Sequence, residues 1–269
     1  MRLWMLGSGS KGNAVLVESG DTRVLVDAGF SARRLAELLG QVGILPQSID
    51  ALLLTHEHSD HVSGVATAVK RWRWPVYATA GTLRGAADLL GPATTHAVAP
   101  GDRFTVGALG IEAFRTSHDA QEPVGFVATS LYSGTRAAVV TDLGRATDEV
   151  RRAVERVDVL VLESNHDEGL LESGPYPWHL KRRVAGSHGH LSNRAAGELA
   201  TGCLHRELRH VVLAHLSETN NVPAVAHESM QRVLRRSRFR GALHVAPQHG
   251  IVGPFGDVGG LGGQLSLGL

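Results

Sequence analysis

The sequence predicts a single layered α/β domain. Three observations carry this expectation: short β-branched apolar runs recur along the chain, helix-like segments alternate with them, and no linker, low-complexity tract or repeat divides the sequence into halves. The length of 269 residues allows one large domain or two small ones at about 150 residues per domain, and the unbroken alternation selects one. Strands are expected over 2–6, 14–18, 23–27 and 49–55, mostly bounded by Gly, Pro, Ser or Asp. A helix is expected over 31–40 with Ser31 as N-cap, then a helix over 62–71, a strand over 76–78 and a helix over 81–90. Strands over 111–114, 124–129 and 136–141 follow, then a helix over 146–156. In the second half, the runs over 157–163, 210–215 and 243–246 are nearly all apolar, so they read as strands buried on both faces. They alternate with helices over 192–205 and 222–236, the latter with Pro223 in its first turn. Residues 1–249 make up the expected domain. Residues 250–269 hold eight glycines and Asp257 as their only formally charged side chain, so a poorly ordered tail is expected there.

Composition narrows the function classes. Apolar residues at 43%, charged residues at 20% and a net charge of +1 place the chain among ordinary globular proteins and argue against a generally basic nucleic-acid coat. No apolar run approaches a membrane span and the start does not read as a signal peptide, so no membrane partner is expected. The single cysteine, Cys203, excludes an internal disulfide framework and a multi-thiolate metal site, and a reducing cytoplasm is the expected compartment. Any metal must therefore be held by nitrogen and oxygen. Fifteen histidines against three tyrosines and six phenylalanines make imidazole the first ligand type to consider.

The densest chemical signal is Thr55-His56-Glu57-His58-Ser59-Asp60-His61, which follows the apolar run Leu52-Leu53-Leu54 and precedes a helix-like segment. At a strand end, residues two apart point the same way, so His56 and His58 can reach one metal while the turn into the helix brings Asp60 and His61 to a second. Further ligands should come from other strand ends, where His118, Asp142 and His215 each follow an apolar run. The expected arrangement is His56, His58 and His118 on one metal, Asp60, His61 and His215 on the other, and Asp142 as the bridge. Without thiolates this set suits Zn2+, and Mn2+ tolerates it as well.

This order, an early strand Asp and then His-x-His-x-Asp-His followed by His, Asp and His, resembles the metallo-β-lactamase superfamily over residues 1 to about 249. The resemblance implies a four-layer αββα sandwich with the metals at one edge between two sheets, and it makes Asp27 a carboxylate that orients ligands. Within the superfamily the finer match is to the YycJ/WalJ type, bacterial proteins described as metal-dependent exonucleases or phosphodiesterases. It rests on residues 7–13, Glu163-Ser164-Asn165-His166-Asp167, Gly189-His190-Leu191-Ser192-Asn193 and the segment 214–221. In true β-lactamases a Cys commonly stands where Asp142 stands here, which disfavours drug hydrolysis. The span between Asp142 and His215 leaves no room for the large inserted domain of ribonuclease J relatives.

A pair of divalent cations can hold a shared water as hydroxide and neutralise charge growing on a phosphoryl oxygen, so the expected reaction is phosphodiester hydrolysis. Asp60 would help orient the nucleophile. His190 is the expected proton donor to the leaving oxygen, because it precedes the presumed helix cap Ser192-Asn193, and His166 could share that work. Ser10 and Asn13 in the early Gly-rich loop, with Ser192 and Asn193, are the candidate phosphate contacts. Three basic groups could grip a nucleic acid locally: Lys70-Arg71-Trp72-Arg73-Trp74, Lys181-Arg182-Arg183, and the cluster Arg232, Arg235, Arg236, Arg238 and Arg240. The leading expectation is a 5′-3′ exonuclease-like enzyme with two divalent metal ions, acting on DNA or RNA ends, with a homodimer left open. A small-molecule hydrolase such as a cyclic phosphodiesterase is the alternative, and a metal-loaded binding module without turnover is the second.

Overall fold

Apolar side chains alternate between the two faces of the strands, and both faces are buried. In the computed structural model, which describes residues 1–237 and 239–256, Leu3 and Met5 of β1 (Arg2–Gly7) point to one side while Trp4 and Leu6 point to the other. The same alternation in β2 (Ala14–Ser19) sets Val15 and Val17 against Ala14 and Leu16. These strands join β3 (Thr22–Val26), β4 (Ala51–Leu53), β5 (Val76–Thr79) and β6 (Thr95–Val98) in one sheet, antiparallel as far as β3 and parallel beyond it. A second sheet runs in order from β7 (Arg103–Val106) through β8 (Leu109–Arg115), β9 (Val124–Ser130), β10 (Arg136–Val140), β11 (Val159–Glu163) and β12 (His210–Ala214) to β13 (Ala242–Val245). A last strand, β14 (Val252–Gly256), pairs antiparallel with β1 and closes the first sheet at seven strands.

Three separate apolar clusters define four layers. The middle one, with Val17, Val26, Phe126 and Val161, lies between the sheets. The first outer cluster sits under α1 (Ala32–Gln41), whose Leu35, Leu38 and Leu39 line one face and whose N-cap is Ser31. A single turn, α2 (Ser59–Val62), leads into α3 (Val65–Trp72) on the same layer, followed by α4 (Ala80–Gly85) and α5 (Ala87–Leu90). The opposite layer is built from α6 (Asp148–Ala153), the short α7 (Glu168–Ser173) and α8 (Trp178–Val184), then α9 (Asn193–Cys203) and α10 (Pro223–Arg235). The architecture is the αββα sandwich. No helix among the described residues is long and apolar enough to cross a membrane.

The differences from expectation have physical causes. β6 and β7 are edge strands with exposed or half-exposed side chains, so they lack the apolar run that marks the inner strands. α7 and α8 are short, and α8 buries none of its residues, so neither carries an amphipathic signature. The expected helix over 81–90 is two pieces that meet near Gly85. Residues 252–256 of the expected tail form β14, where Phe255 enters the inter-sheet core; residues 257–269 lie outside the described residues. Trp72 and Trp74 are buried and stack on each other at 4.7 Å, so these two rings belong to the core of the first helical layer and are no stacking platform, while Lys70, Arg71 and Arg73 are exposed.

Candidate metal centre

The site lies where strands of both sheets end. Asp27 follows β3, Thr55 to His58 follow β4, Asp60 and His61 ride on α2, and His118, Asp142 and His215 follow β8, β10 and β12. Asp27, Asp142 and His215 have φ of 62°, 58° and 55°. Left-handed backbone is uncommon outside glycine, so three such residues at one site place the strain at the strand ends that aim these side chains. Gly29 permits a close approach: a Cβ there would stand 1.7 Å from the Asp60 carbonyl oxygen. Gly29→Ala must push α2 away, and we expect metal affinity to drop about 10- to 100-fold, as for loss of a supporting ligand contact, measured by titration of the metal-free protein.

The side chains fall into two triads sharing one carboxylate. His56 Nε2 and His118 Nε2 lie 3.1 Å and 3.2 Å from His58 Nδ1, a convergence of three ring nitrogens. Asp60, His61 and His215 form the second group, with His215 Nε2 at 3.3 Å from Asp60 Oδ2. Asp142 lies between them, with Oδ2 at 3.1 Å from His61 Nε2 and Oδ1 at 3.6 Å from His118 Nε2. Its Oδ2 is buried and makes no hydrogen bond. The other nitrogen of His61, Nδ1, faces Asp27 Oδ2 at 2.7 Å, and Asp142 and Asp27 overcome burial and raise His61 well above its ordinary value. A buried, unpartnered carboxylate oxygen among converging ring nitrogens and carboxylates is a donor set for a cation. These residues therefore fit divalent metal, with the donor set of nitrogen and oxygen that suits zinc or manganese.

A further shell of hydrogen bonds fixes each ring. Asp27 accepts from the Thr55 amide and hydroxyl, both at 2.8 Å, as well as from His61. His118 Nδ1 faces the Gly189 carbonyl at 3.0 Å. Asn13 Nδ2 approaches His61 Nε2 at 3.1 Å and Asp60 Oδ2 at 3.4 Å. The buried Glu163, at the end of β11, accepts from His215 Nδ1 at 3.1 Å and His190 Nδ1 at 2.8 Å with Oε1, while the amides of Leu143 and Leu191 donate to Oε2. Burial pushes carboxylates up, yet the surrounding imidazoles outweigh it: Glu163 is held down to about 2, and Asp60 and Asp142 also lie below the usual range. Burial lowers His56 and His118, keeping them neutral. Burial works the same way on His215, but Asp142, Asp60 and Glu163 overcome it and raise the group to about 10. The carboxylates thus face imidazoles that they hold protonated in the absence of metal.

The sequence matches the model of the β-lactamase superfamily domain over residues 22–216. The chain belongs to this superfamily. It is 34% identical over 238 residues to exodeoxyribonuclease YycJ of Bacillus anthracis, a match spanning 87% of this chain and 89% of that protein. It is equally similar to exodeoxyribonuclease WalJ of Streptococcus pneumoniae serotype 2, at 34% identity over 87% of this chain and 88% of the relative. In fold it is similar to the metallo-β-lactamase fold protein YhfI of Bacillus subtilis, with a TM-score of 0.69, 20% identity, and coverage of 94% of this chain and 99% of the other.

In this superfamily member the seven ligand-type side chains read from the sequence all meet at one place, and the other candidates divide. His190 lines a cavity of about 360 Å³ above the triads, together with Ser10, Asp119 and Arg183. His166 does not line it; it is buried behind the β11 end and faces a different cavity, so the expected share in proton donation is corrected. Asn13 and Asn193 are buried with their amides engaged, Asn13 by Gly9 and Asp60 and Asn193 by Ser164 and Asn221. They hold the loops together and do not present themselves to phosphate. The Ser192 hydroxyl caps the Ala195 amide and donates to Glu168, and the Asn193 amide donates to the His166 carbonyl, so two of the free amides at this helix start are already engaged within the chain. Arg232, Arg235, Arg236 and Arg240 line neither cavity beside the centre, and Arg238 lies outside the described residues. Glu163 and Asp119 had no assigned role in the sequence reading. A carboxylate closing a fully apolar strand, and one directly after His118, were the available signals.

Proposed function

We propose that this chain is a metal-dependent exodeoxyribonuclease of the YycJ/WalJ kind, hydrolysing phosphodiester bonds at nucleic-acid ends in the 5′ to 3′ direction with two divalent cations, Zn2+ or Mn2+. The observation that carries this reading is the unpartnered, buried Asp142 Oδ2 between two triads, under a cavity whose wall bears an acid and a guanidinium. His56, His58 and His118 would hold one cation, Asp60, His61 and His215 the other, and Asp142 both. Bound there, the cations supply Lewis acidity to the phosphoryl oxygens and make water nucleophilic at neutral pH.

The remaining work falls to the chain. Asp60, steadied by Asn13, accepts a hydrogen bond from the attacking water and orients it. Arg183 lines the cavity and is held by Asp119 at 2.6 Å, where its charge offsets that of the phosphodiester. Glu163 fixes His190 through Nδ1, leaving Nε2 to protonate the departing oxygen. Burial would lower the pKa of His190, but Glu163 and Asp142 raise it above its ordinary value, so the ring carries the proton it must give.

The test is a panel of single- and double-stranded DNA and RNA labelled at either end, run with Zn2+ and with Mn2+ beside bis(p-nitrophenyl) phosphate. Stepwise shortening from the 5′ end supports the reading. Turnover of the small diester with every strand left intact would replace it by a small-molecule phosphodiesterase.

A further inference from the structure

A second cavity, of about 530 Å³, opens on the far side of His190. His190 lines both it and the cavity over the triads, so the two spaces meet at the proposed proton donor. Its walls come from α7, α8 and the start of α9, the excursion between β11 and β12. Leu171, Ala185 and Ala195 give it apolar surface. At its rim stands Trp178, 73% exposed, while the other three tryptophans of the chain are buried. An indole left in water beside a catalytic cavity, with the Arg182 guanidinium 6.0 Å from its ring centroid, is the arrangement that stacks a base and neutralises its backbone.

The polar lining selects the occupant. Glu168 and Glu172 contribute carboxylates, and the cation nearest them, Arg194, is already paired with Glu168 and Glu198. Lys181 and Arg182 line it as well, so charges of both signs are present: the cations can meet a backbone phosphate, while the carboxylates accept from a ring with amino and imino donors. His166 adds to this: it is 2% exposed, lines the cavity, and has a buried Nδ1 without a hydrogen-bond partner. The volume falls within the roughly 300–1,000 Å³ of small-ligand pockets, enough for a nucleoside.

We propose that this cavity, with Trp178 at its rim, binds an unpaired nucleobase of the nucleoside on the leaving-group side of the scissile bond, an inference that rests on the nuclease reading above. The leaving oxygen must lie beside His190 to receive its proton, and the cavity begins on the other side of that ring, so the base it holds belongs to the leaving nucleoside. A base seated there is withdrawn from pairing, so single-stranded or frayed ends are the preferred substrates.

Two measurements on the full chain test this. In the first, metal-loaded enzyme cleaves single-stranded oligonucleotides that carry either thymidine or an abasic tetrahydrofuran residue at the leaving position. Base stacking predicts that the abasic end loses about 10- to 100-fold in kcat/KM, that Trp178→Ala brings the two substrates to parity, and that Trp178→Phe restores most of the discrimination. In the second, metal-free protein is titrated with a thymidine dinucleotide while tryptophan fluorescence is followed; quenching is expected, and its loss in Trp178→Phe identifies the ring. Equal cleavage of both ends by the unsubstituted enzyme, without quenching, overturns the base site while leaving the nuclease reading intact. Quenching by strands that the loaded enzyme never shortens supports the base site and overturns the nuclease reading instead.

Discussion

Asp142→Asn should cost at least about 10³-fold in kcat/KM, because in the proposed two-cation centre the shared carboxylate would support both sites, and several kcal/mol of charge stabilisation would depend on them. Asparagine keeps the shape of the side chain and tolerates the left-handed backbone at φ 58°, so the substitution isolates the charge. Asp142 is 2% exposed and sits among His61, His118, His190 and His215, with Asp60 and Glu163 close by. Once the bridge is neutral, the second cation should be lost or weakly held, and metal analysis should find fewer than two per chain. The metal-free variant should unfold earlier than the unsubstituted metal-free protein, since the imidazoles around Asp142 hold its carboxylate below the usual range and that stabilisation goes with its charge. Retention of two cations with activity within about tenfold of the original would contradict the bridging role.

His190→Ala should lower kcat by about 10²- to 10⁴-fold while leaving both metal triads filled. The distinction matters because His190 lies 3.6 Å from Asp142 and 2.8 Å from Glu163, near enough to be taken for a ligand, yet it lines both cavities. A general acid must be protonated, so the rate should fall as pH rises through its pKa, and this alkaline limb should disappear in His190→Ala. Glu163→Gln gives the sharper signature. Burial depresses the imidazolium, and Glu163 is the first of the charges that overcome it. Removing that charge lowers the pKa of His190, so the alkaline limb of kcat should move to lower pH, together with a loss of about 10- to 100-fold in activity. An unshifted limb in Glu163→Gln would remove His190 from proton transfer.

The converging side chains were legible because ligand-type chemistry at a strand end is compressed into few residues. Four groups between His56 and His61 cannot serve a buried apolar core, and a strand terminus fixes which of them point together. His118, Asp142 and His215 could be placed by the same rule, since each follows an apolar run. The layer order was legible wherever strands are buried on both faces, as β10 to β12 are in their apolar runs. Edge strands and short exposed helices left no such trace, and that is why the α7–α8 excursion with its cavity was invisible. Glu163 went unassigned because its partners, His190 and His215, lie 27 and 52 residues away; the parallel register of β11 against β12 brings it to His215, and the loop before α9, tied to the end of β11, brings it to His190. Asn13 and Asn193 misled for the opposite reason: polar residues in Gly-rich or capping segments look like anion contacts until tertiary structure turns them inward.

Elemental analysis of the purified chain, stripped by chelation and reconstituted with Zn2+ or Mn2+, bears most directly on the centre. Two equivalents per chain, falling when His58 or His215 is replaced by alanine, is the result that the convergence of the two triads on Asp142 predicts. A chain that takes up no stoichiometric metal after reconstitution, or one that binds two ions unaffected by either substitution, would contradict it.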